Sequence, residues 1–410
     1  MADDRLTAIV KTETPRVRAR LIRELRDFDL AEDSLQEALL RAVKSWPVDG
    51  IPKAPAAWLT TVAKRCAIDV MRRKQVHDRA VGLLLPGEEG RDELDVFNDD
   101  LMRLIFTCCH PSLNLEAQIA LTLRTVVDMS LAQVARAFLV SEKTMDQRLV
   151  RAKRKIKQAG IPYTVPGSRD LPRRLQGVLT VFYLVFNEGY SATAGDALIR
   201  FELCQIAIQM TRQLNRLVRG RAEALSLLSL MLLQHSRSKA RVDAAGRLVL
   251  LEDQDRGLWD RRAITEGTML LEKALLARQP PGPFQLQAAI AAVHANAVSP
   301  EATDWQEIRA LYDGLLKFQD MPVVRLNRAV AIGMAEGADA GLQVLELMKT
   351  SQALMRHHLF HSAKAGLLLR SGRNDAACES YRAALALAQN GTERDFLVQR
   401  IEALEAGGVQ

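Results

Sequence analysis

The 410-residue chain is poor in aromatic residues (5%), has only five cysteines, and lacks any long apolar run. Its most apolar stretches, Val178 to Phe186 and Leu225 to Leu233, fall far short of the ~20 residues that a membrane-crossing helix needs. Cys66, Cys108, Cys109, Cys204 and Cys378 follow no disulfide-framework spacing, which points to a reducing compartment. The opening Met1-Ala2-Asp3-Asp4-Arg5 has no basic run leading into an apolar stretch, so no secretory signal is expected. There is no P-loop, no glycine fingerprint after a strand and no GxSxG elbow. The expectation is a cytoplasmic protein that is not an enzyme, holds no cofactor and has no membrane association.

What the chain does contain is helix-forming sequence. Hydrophobic residues make up 48% and charged residues 26%, with Ala and Leu throughout and little β-branched alternation, so an all-α fold is expected. Lys and Arg number 56 against 49 Asp and Glu, and the resulting +7 is compatible with a polyanionic partner without demonstrating one.

Four stretches organise the chain. Residues 1–78 read as a helical unit, with apolar spacing over Val17 to Leu25 and Leu35 to Val43. In it, Trp46 to Pro52 is a turn-rich loop and Ala56 to Arg73 a long helix. Residues 79–97 lose periodicity and turn acidic (Glu88, Glu89, Asp92, Glu93, Asp95), which predicts a linker. A second helical unit covers 98–160, and a Pro/Gly-bearing boundary lies at 161–170. From 170 to 405 the chain reads as helices again. Gly337 and Gly372 stand 35 residues apart, near the 34-residue period of tetratricopeptide repeats, so a helical-repeat-like C-terminal domain is expected.

Two helices carry the chemistry. Leu131, Val134, Ala135 and Phe138 form an apolar stripe on a short helix, and Ser141 can cap the next. On that second helix Met145, Leu149, Ala152 and Ile156 share one face. Lys143, Gln147, Arg148, Arg151, Arg154 and Lys155 lie mostly opposite, and Thr144 belongs to the first turn. This is the pattern of a helix-turn-helix whose second helix enters the major groove. On the helix from Ala56, Leu59, Val62, Ala63, Cys66 and Val70 form the buried stripe. Trp58, Thr61, Arg65, Ile68 and Arg72 share another face, flanked by Lys64 and Arg73. An aromatic among cations suits unpaired bases, each stacked base contributing ~1–3 kcal/mol; a core position for Trp58 is the competing reading.

Other clusters read as structural. Adjacent Cys108, Cys109 and His110 cannot all turn to one tetrahedral ion, and His357, His358 and His361 lack the Glu of a HExxH motif, so no metal is expected. Glu252, Asp253 and Asp255, beside Arg256, suggest an ion-pair network at a helix end.

The segments Asp33 to Ala38, Trp58 to Arg65 and Asp69 to Arg73 resemble region 2 of bacterial sigma-70 family factors. Leu131 to Ala135 and Thr144 to Lys153 resemble region 4. With no recognisable regions 1 and 3, the likeness is to the small extracytoplasmic-function class. Phe106 to Pro111, Phe186 to Tyr190, Leu250 to Asp255 and Leu326 to Val330 further resemble its subgroup with a tetratricopeptide-like extension. The resemblance implies core RNA polymerase (β′ clamp and β flap) and promoter DNA as partners. It puts Asp33, Leu35, Gln36 and Glu37 on the clamp. Trp58, Thr61, Lys64, Arg65, Arg72 and Arg73 fall on the −10 element, together with the loop from Trp46 to Pro55. Ser141, Lys143, Thr144, Gln147, Arg148, Arg151, Arg154 and Lys155 fall on the −35 element. The linker 79–97 would thread toward the RNA exit path. Leu139, where the family usually has Gly, and Lys143 imply a wider turn. The C-terminal domain is expected to take a protein or peptide ligand and to regulate the rest. Two other classes fit parts of the pattern: a stand-alone helix-turn-helix regulator with a sensing domain, and a tetratricopeptide scaffold. The Trp58/Arg65/Arg72 face and the Asp33–Glu37 helix favour a sigma factor over both.

Overall fold

The computed structural model describes residues 2–75, 93–138, 140–167, 169–190, 201–243, 247–348 and 355–407. Of the linker expected at 79–97, residues 79–92 lie outside the described residues, as does Leu139 of the turn. Residues 93–97, including the acidic Glu93 and Asp95, are corrected to the first turns of a helix, Glu93–Cys108. The expected all-α class holds. Among the described residues there is no strand, only an isolated antiparallel bridge between Val242 and Leu248. Two compact units result, 1–184 and 185–410.

In the first unit, α1 (Ala2–Leu25), α2 (Phe28–Asp49) and α3 (Pro55–Gln75) pack pairwise, and α1 also packs on α4 (Glu93–Cys108). Asp27 starts α2 by accepting hydrogen bonds from the Asp29 and Leu30 N–H groups, both at 3.1 Å. The loop expected from Trp46 begins only at Gly50. Trp46 is 3% exposed and anchors the last turn of α2, which carries Pro47 within it. Gly50, at φ 84°, then turns the chain out, its N–H donating to the Trp46 carbonyl at 3.1 Å.

The same unit continues through α5 (Leu115–Leu121), a π-helical stretch at Thr122–Val126, α6 (Leu131–Ala137) and α7 (Glu142–Gln158). Phe106, Leu121 and Met145 lie fully buried among these helices. Cys108 and Cys109 are buried too, and burial pushes the Cys109 thiol up to about 12. Arg18, 5% exposed on α1, donates to the Thr125 carbonyl at 3.4 Å and pairs with Asp128. Arg23 lies 3.1 Å from the buried Asp100, whose pKa burial still raises to about 6. The segment expected to separate domains is absorbed into this unit. The Tyr163 ring lies 5.7 Å from Phe28, and Arg174 donates to the Phe106 carbonyl at 2.6 Å. The division instead falls within α8 (Leu171–Tyr190), along the buried apolar run from Val178 to Phe186.

The second unit stacks α9 (Phe201–Leu217), α10 (Ala222–His235), α11 (Arg261–Leu276), α12 (Pro283–Asn296), α13 (Trp305–Leu316), α14 (Pro322–Glu336), α15 (Ala338–Leu347), α16 (His358–Arg370), α17 (Asn374–Leu387) and α18 (Gly391–Gly407). Contacts run mainly between neighbours in the chain. Gly337 (φ 107°) alone joins α14 to α15, and Gly372 (φ 75°) lies in the three-residue link from α16 to α17, so both glycines take a positive φ in a turn between paired helices. Gly189 allows close packing: a Cβ there would meet the Cys204 nitrogen at 2.7 Å. Tyr190 follows it, stacked on Phe186 at 5.7 Å, with the Arg241 guanidinium 3.9 Å from its ring.

Candidate nucleic-acid interface

Burial of one face decides what each helix can offer. On α7, Met145, Leu149, Ala152 and Ile156 are each at most 4% exposed, as their spacing predicts. Ser141 caps the helix, its Oγ accepting from the Thr144 N–H at 3.2 Å and lying 2.8 Å from the Thr144 hydroxyl. Lys143, Thr144, Gln147, Arg151, Arg154 and Lys155 are exposed. Among the described residues Gln147, Arg151, Arg154 and Lys155 have no side-chain partner, which leaves three cations and an amide for a ligand. Arg148 differs. It is half-buried and paired with Glu116 of α5 at 3.1 Å, so that guanidinium is already partly satisfied. The turn before α7 is closed by Phe138 N–H to Val134 O at 3.2 Å and Val140 N–H to Ala135 O at 3.1 Å.

On α3, Leu59, Ala63, Cys66 and Ala67 are in the core. Thr61, Arg65 and Arg72 are exposed, and the Thr61 hydroxyl donates to the Ala57 carbonyl at 2.9 Å. Trp58 is half-buried, set edge-on against Trp46 with ring centroids 5.4 Å apart. The buried indole thus positions the outer one, a contact of ~0.5–1.5 kcal/mol beyond the area it hides. Lys64 turns away from this group and pairs with Glu24 of α1 at 2.7 Å. The Arg73 side chain lies outside the described residues.

On α2, Asp33, Gln36 and Glu37 are exposed, with Glu37 holding Arg41 at 3.1 Å. Leu35 is 1% exposed and cannot meet a partner directly; its place among the docking residues is corrected to the core beneath them. Apolar Leu40 (57% exposed) and Val43 (53%) lie one and two turns further along. Their exposure departs from a period-3.6 reading, which assigns apolar residues to the core by default.

A basic helix with an exposed Arg-bearing face, a second helix presenting indole and arginine, and an acidic-apolar helix form three separate surfaces on one compact unit. Comparison with known proteins divides this unit into two regions, one holding α2 and α3 and the other α7. Residues 9–76 match the model of sigma-70 region 2, and residues 103–156 match sigma-70 region 4. Residues 174–275 match a family of unknown function, DUF6596. An uncharacterized protein of Rhizobium meliloti (strain 1021), R00370, is 45% identical over 405 residues, covering 96% of this chain and 94% of that protein. The chain belongs to the sigma-70 family. Regions 2 and 4 make it a sigma factor, which joins core RNA polymerase, binds promoter DNA and directs transcription initiation.

Proposed function

We propose that the chain is a sigma factor of the extracytoplasmic-function class whose C-terminal helical unit regulates the polymerase-binding part. The single observation that carries the promoter reading is the exposed face of α7, Gln147, Arg151, Arg154 and Lys155, without side-chain partners among the described residues, on a helix whose opposite face is buried. That face reads the −35 element: a bidentate Arg on a guanine edge discriminates bases, while neighbouring cations fix register on phosphates. Trp58, Thr61, Arg65 and Arg72 take the −10 element as an opened strand, the indole stacking on a base and the guanidiniums holding the backbone. Asp33, Gln36 and Glu37, with Leu40 and Val43 beside them, dock on the β′ clamp, and the region 4 unit meets the β flap. The chain performs no chemistry of its own in this reading, and a cytoplasmic location follows from its partners.

Regulation is assigned to 185–410 because paired helices joined at Gly337 and Gly372 build the kind of array that takes a protein or peptide on its surface. Tetratricopeptide-like packing of these pairs is part of the proposal. A binding assay with core polymerase tests the docking surface. Asp33→Lys with Glu37→Lys is expected to weaken association at least tenfold while leaving the melting curve in place, whereas unchanged association removes α2 from the interface.

A further inference from the structure

Residues 247–260, between α10 and α11, form a non-helical strip broken by two single 3-10 turns. The ion-pair network expected for Glu252 and Asp253 is made far away in sequence. Glu252 pairs with Arg370 at the end of α16, and Asp253 with Arg400 on α18 at 3.3 Å. Asp255 pairs with neither; its carboxylate accepts from the Gly257 N–H at 2.8 Å. At the other end of the strip Arg256 donates to the carbonyls of His294 (3.0 Å) and Ala297 (2.7 Å), capping the C-terminus of α12. Buried Trp259 (3% exposed) lies under the Arg256 guanidinium at 4.4 Å. One strip thus touches α12 through Arg256 and α16 and α18 through Glu252 and Asp253.

The two ends of the strip are unequal. Trp259 and Arg256 hold it by burial and by charge-assisted bonds to carbonyls. The Glu252 and Asp253 side chains are held by exposed pairs: the side chains of Arg370 and Glu252 are 43% and 45% exposed, and those of Arg400 and Asp253 are 37% and 54%. The backbone beside them is tied separately, Val249 N–H to the Arg241 carbonyl at 2.9 Å and the Gln254 amide to the Val249 carbonyl at 3.1 Å. Exposed pairs contribute little each and exchange readily with water and with other carboxylates. Among the other cations on these helices and turns, Arg373 is matched to Asp339 and Arg382 to Glu405 (2.6 Å), while Arg394 donates to the carbonyls of Leu385 and Ala388 (3.0 and 3.1 Å), so much of the positive charge that a polyanion such as nucleic acid would need is already engaged.

We propose that Arg370 and Arg400 form a docking site for an extended acidic segment of a partner protein, with adjacent carboxylates, and that Glu252-Asp253 is the internal stand-in occupying it. This rests on the reading of 185–410 as a partner-binding regulatory unit. The partner's carboxylates displace Glu252 and Asp253 while Arg256 and Trp259 keep the strip attached, so the site opens without unfolding.

The test uses full-length protein and a fluorescent synthetic peptide of the chain's own residues 248–257. Glu252→Gln with Asp253→Asn empties the site, and this variant is expected to bind the peptide at least tenfold more tightly than the wild type. A peptide carrying the same two neutral replacements should not bind. Adding Arg400→Gln should remove the gain, and so should 0.5 M salt. Equal binding by wild type and emptied variant overturns the proposal, as does binding that survives Arg400→Gln. Tighter binding of duplex DNA than of peptide by the emptied variant overturns it in favour of a phosphate site. Should the emptied variant not fold, Arg370→Gln in the wild type is read instead, by hydrogen exchange. Faster exchange confined to 249–254 supports the proposal, and unchanged exchange contradicts it. Because the readout is binding rather than transcription, its failure leaves the regulatory reading standing.

Discussion

Lys153 on the helix-turn-helix reaches Asp29 on α2, Nζ to Oδ1 at 2.8 Å, across 124 positions of sequence. It also lies 3.6 Å from Glu32, and one turn on Lys157 meets Asp27 at 3.3 Å. Arg124 adds a further pair with Glu32. The helix that carries Arg151 is thus tied along its other edge to the helix that carries Asp33. Each partly exposed pair contributes ~0.2–1 kcal/mol, so together they hold an arrangement that a tighter-binding partner can open.

Those acids lower the positive field of α7. Asp29→Asn with Glu32→Gln is expected to raise affinity for a −35 duplex about three- to tenfold at low salt, with the difference shrinking as salt increases. Asp27 is left alone because it also caps α2: burial works to raise its pKa, but the Leu30 and Asp29 N–H groups and Lys157 hold it below the usual carboxylate range. Fluorescence anisotropy across a salt series checks this. Unchanged affinity would show that the pairs open before DNA arrives.

Arg151 and Arg148, adjacent on the helical wheel, should separate. Arg151→Ala, which removes a free exposed guanidinium, is expected to cost ~1–3 kcal/mol of −35 binding with no loss of stability. Arg148→Ala breaks the pair with Glu116 and should cost less binding and some melting temperature. Equal binding losses without destabilisation would place both on base edges.

The indole pair gives a graded result. Trp46→Ala empties a core position and should cost ~3–5 kcal/mol of stability. Trp58→Ala, at the half-buried outer position, should cost less stability and reduce permanganate reactivity of −10 thymines while −35 binding persists. Wild-type reactivity in Trp58→Ala would assign that indole to packing alone.

Legibility followed distance along the chain. The apolar stripe of α7, its Ser141 cap and its basic face obey a 3.6 period and could be read residue by residue. So could the helical class of all the described parts. What could not be read depends on contacts between distant residues. Nothing local announces that Lys64 turns to Glu24, that Arg148 meets Glu116, or that Glu252 and Asp253 find Arg370 and Arg400 rather than Arg256. Leu35 illustrates a finer limit: it sits between polar docking residues in sequence, yet the helical turn carries it to the opposite, buried side. Pro47 misled in the other direction, since a turn-forming residue sits within the final helical turn that Trp46 anchors.

His294 sets a pH dependence for the C-terminal unit. Burial first, then Arg237 and Arg256, lower its pKa from 6.5 to about 4. A depressed folded-state pKa means that the stability from the neutral ring is fully present above 6.5 and is lost as pH falls through about 4. Between pH 7.5 and 5 this group alone should remove ~2 kcal/mol, because the unfolded ring gains a proton that the folded ring refuses. In His294→Gln the slope of stability over this range should flatten by that amount, measured by urea denaturation. Parallel wild-type and variant profiles would contradict it.

The central claim, that this chain directs core RNA polymerase to promoters through α7 and α3, is tested most directly by run-off transcription. Core polymerase, a library of promoter fragments and the full-length protein are combined, and transcripts are mapped with and without the protein. The account predicts discrete, protein-dependent start sites that are lost together in Arg151→Ala and in Trp58→Ala with Arg65→Ala. Sequence-specific DNA binding by the protein alone, without any core-dependent transcript across the library, would contradict it and identify a stand-alone DNA-binding regulator instead.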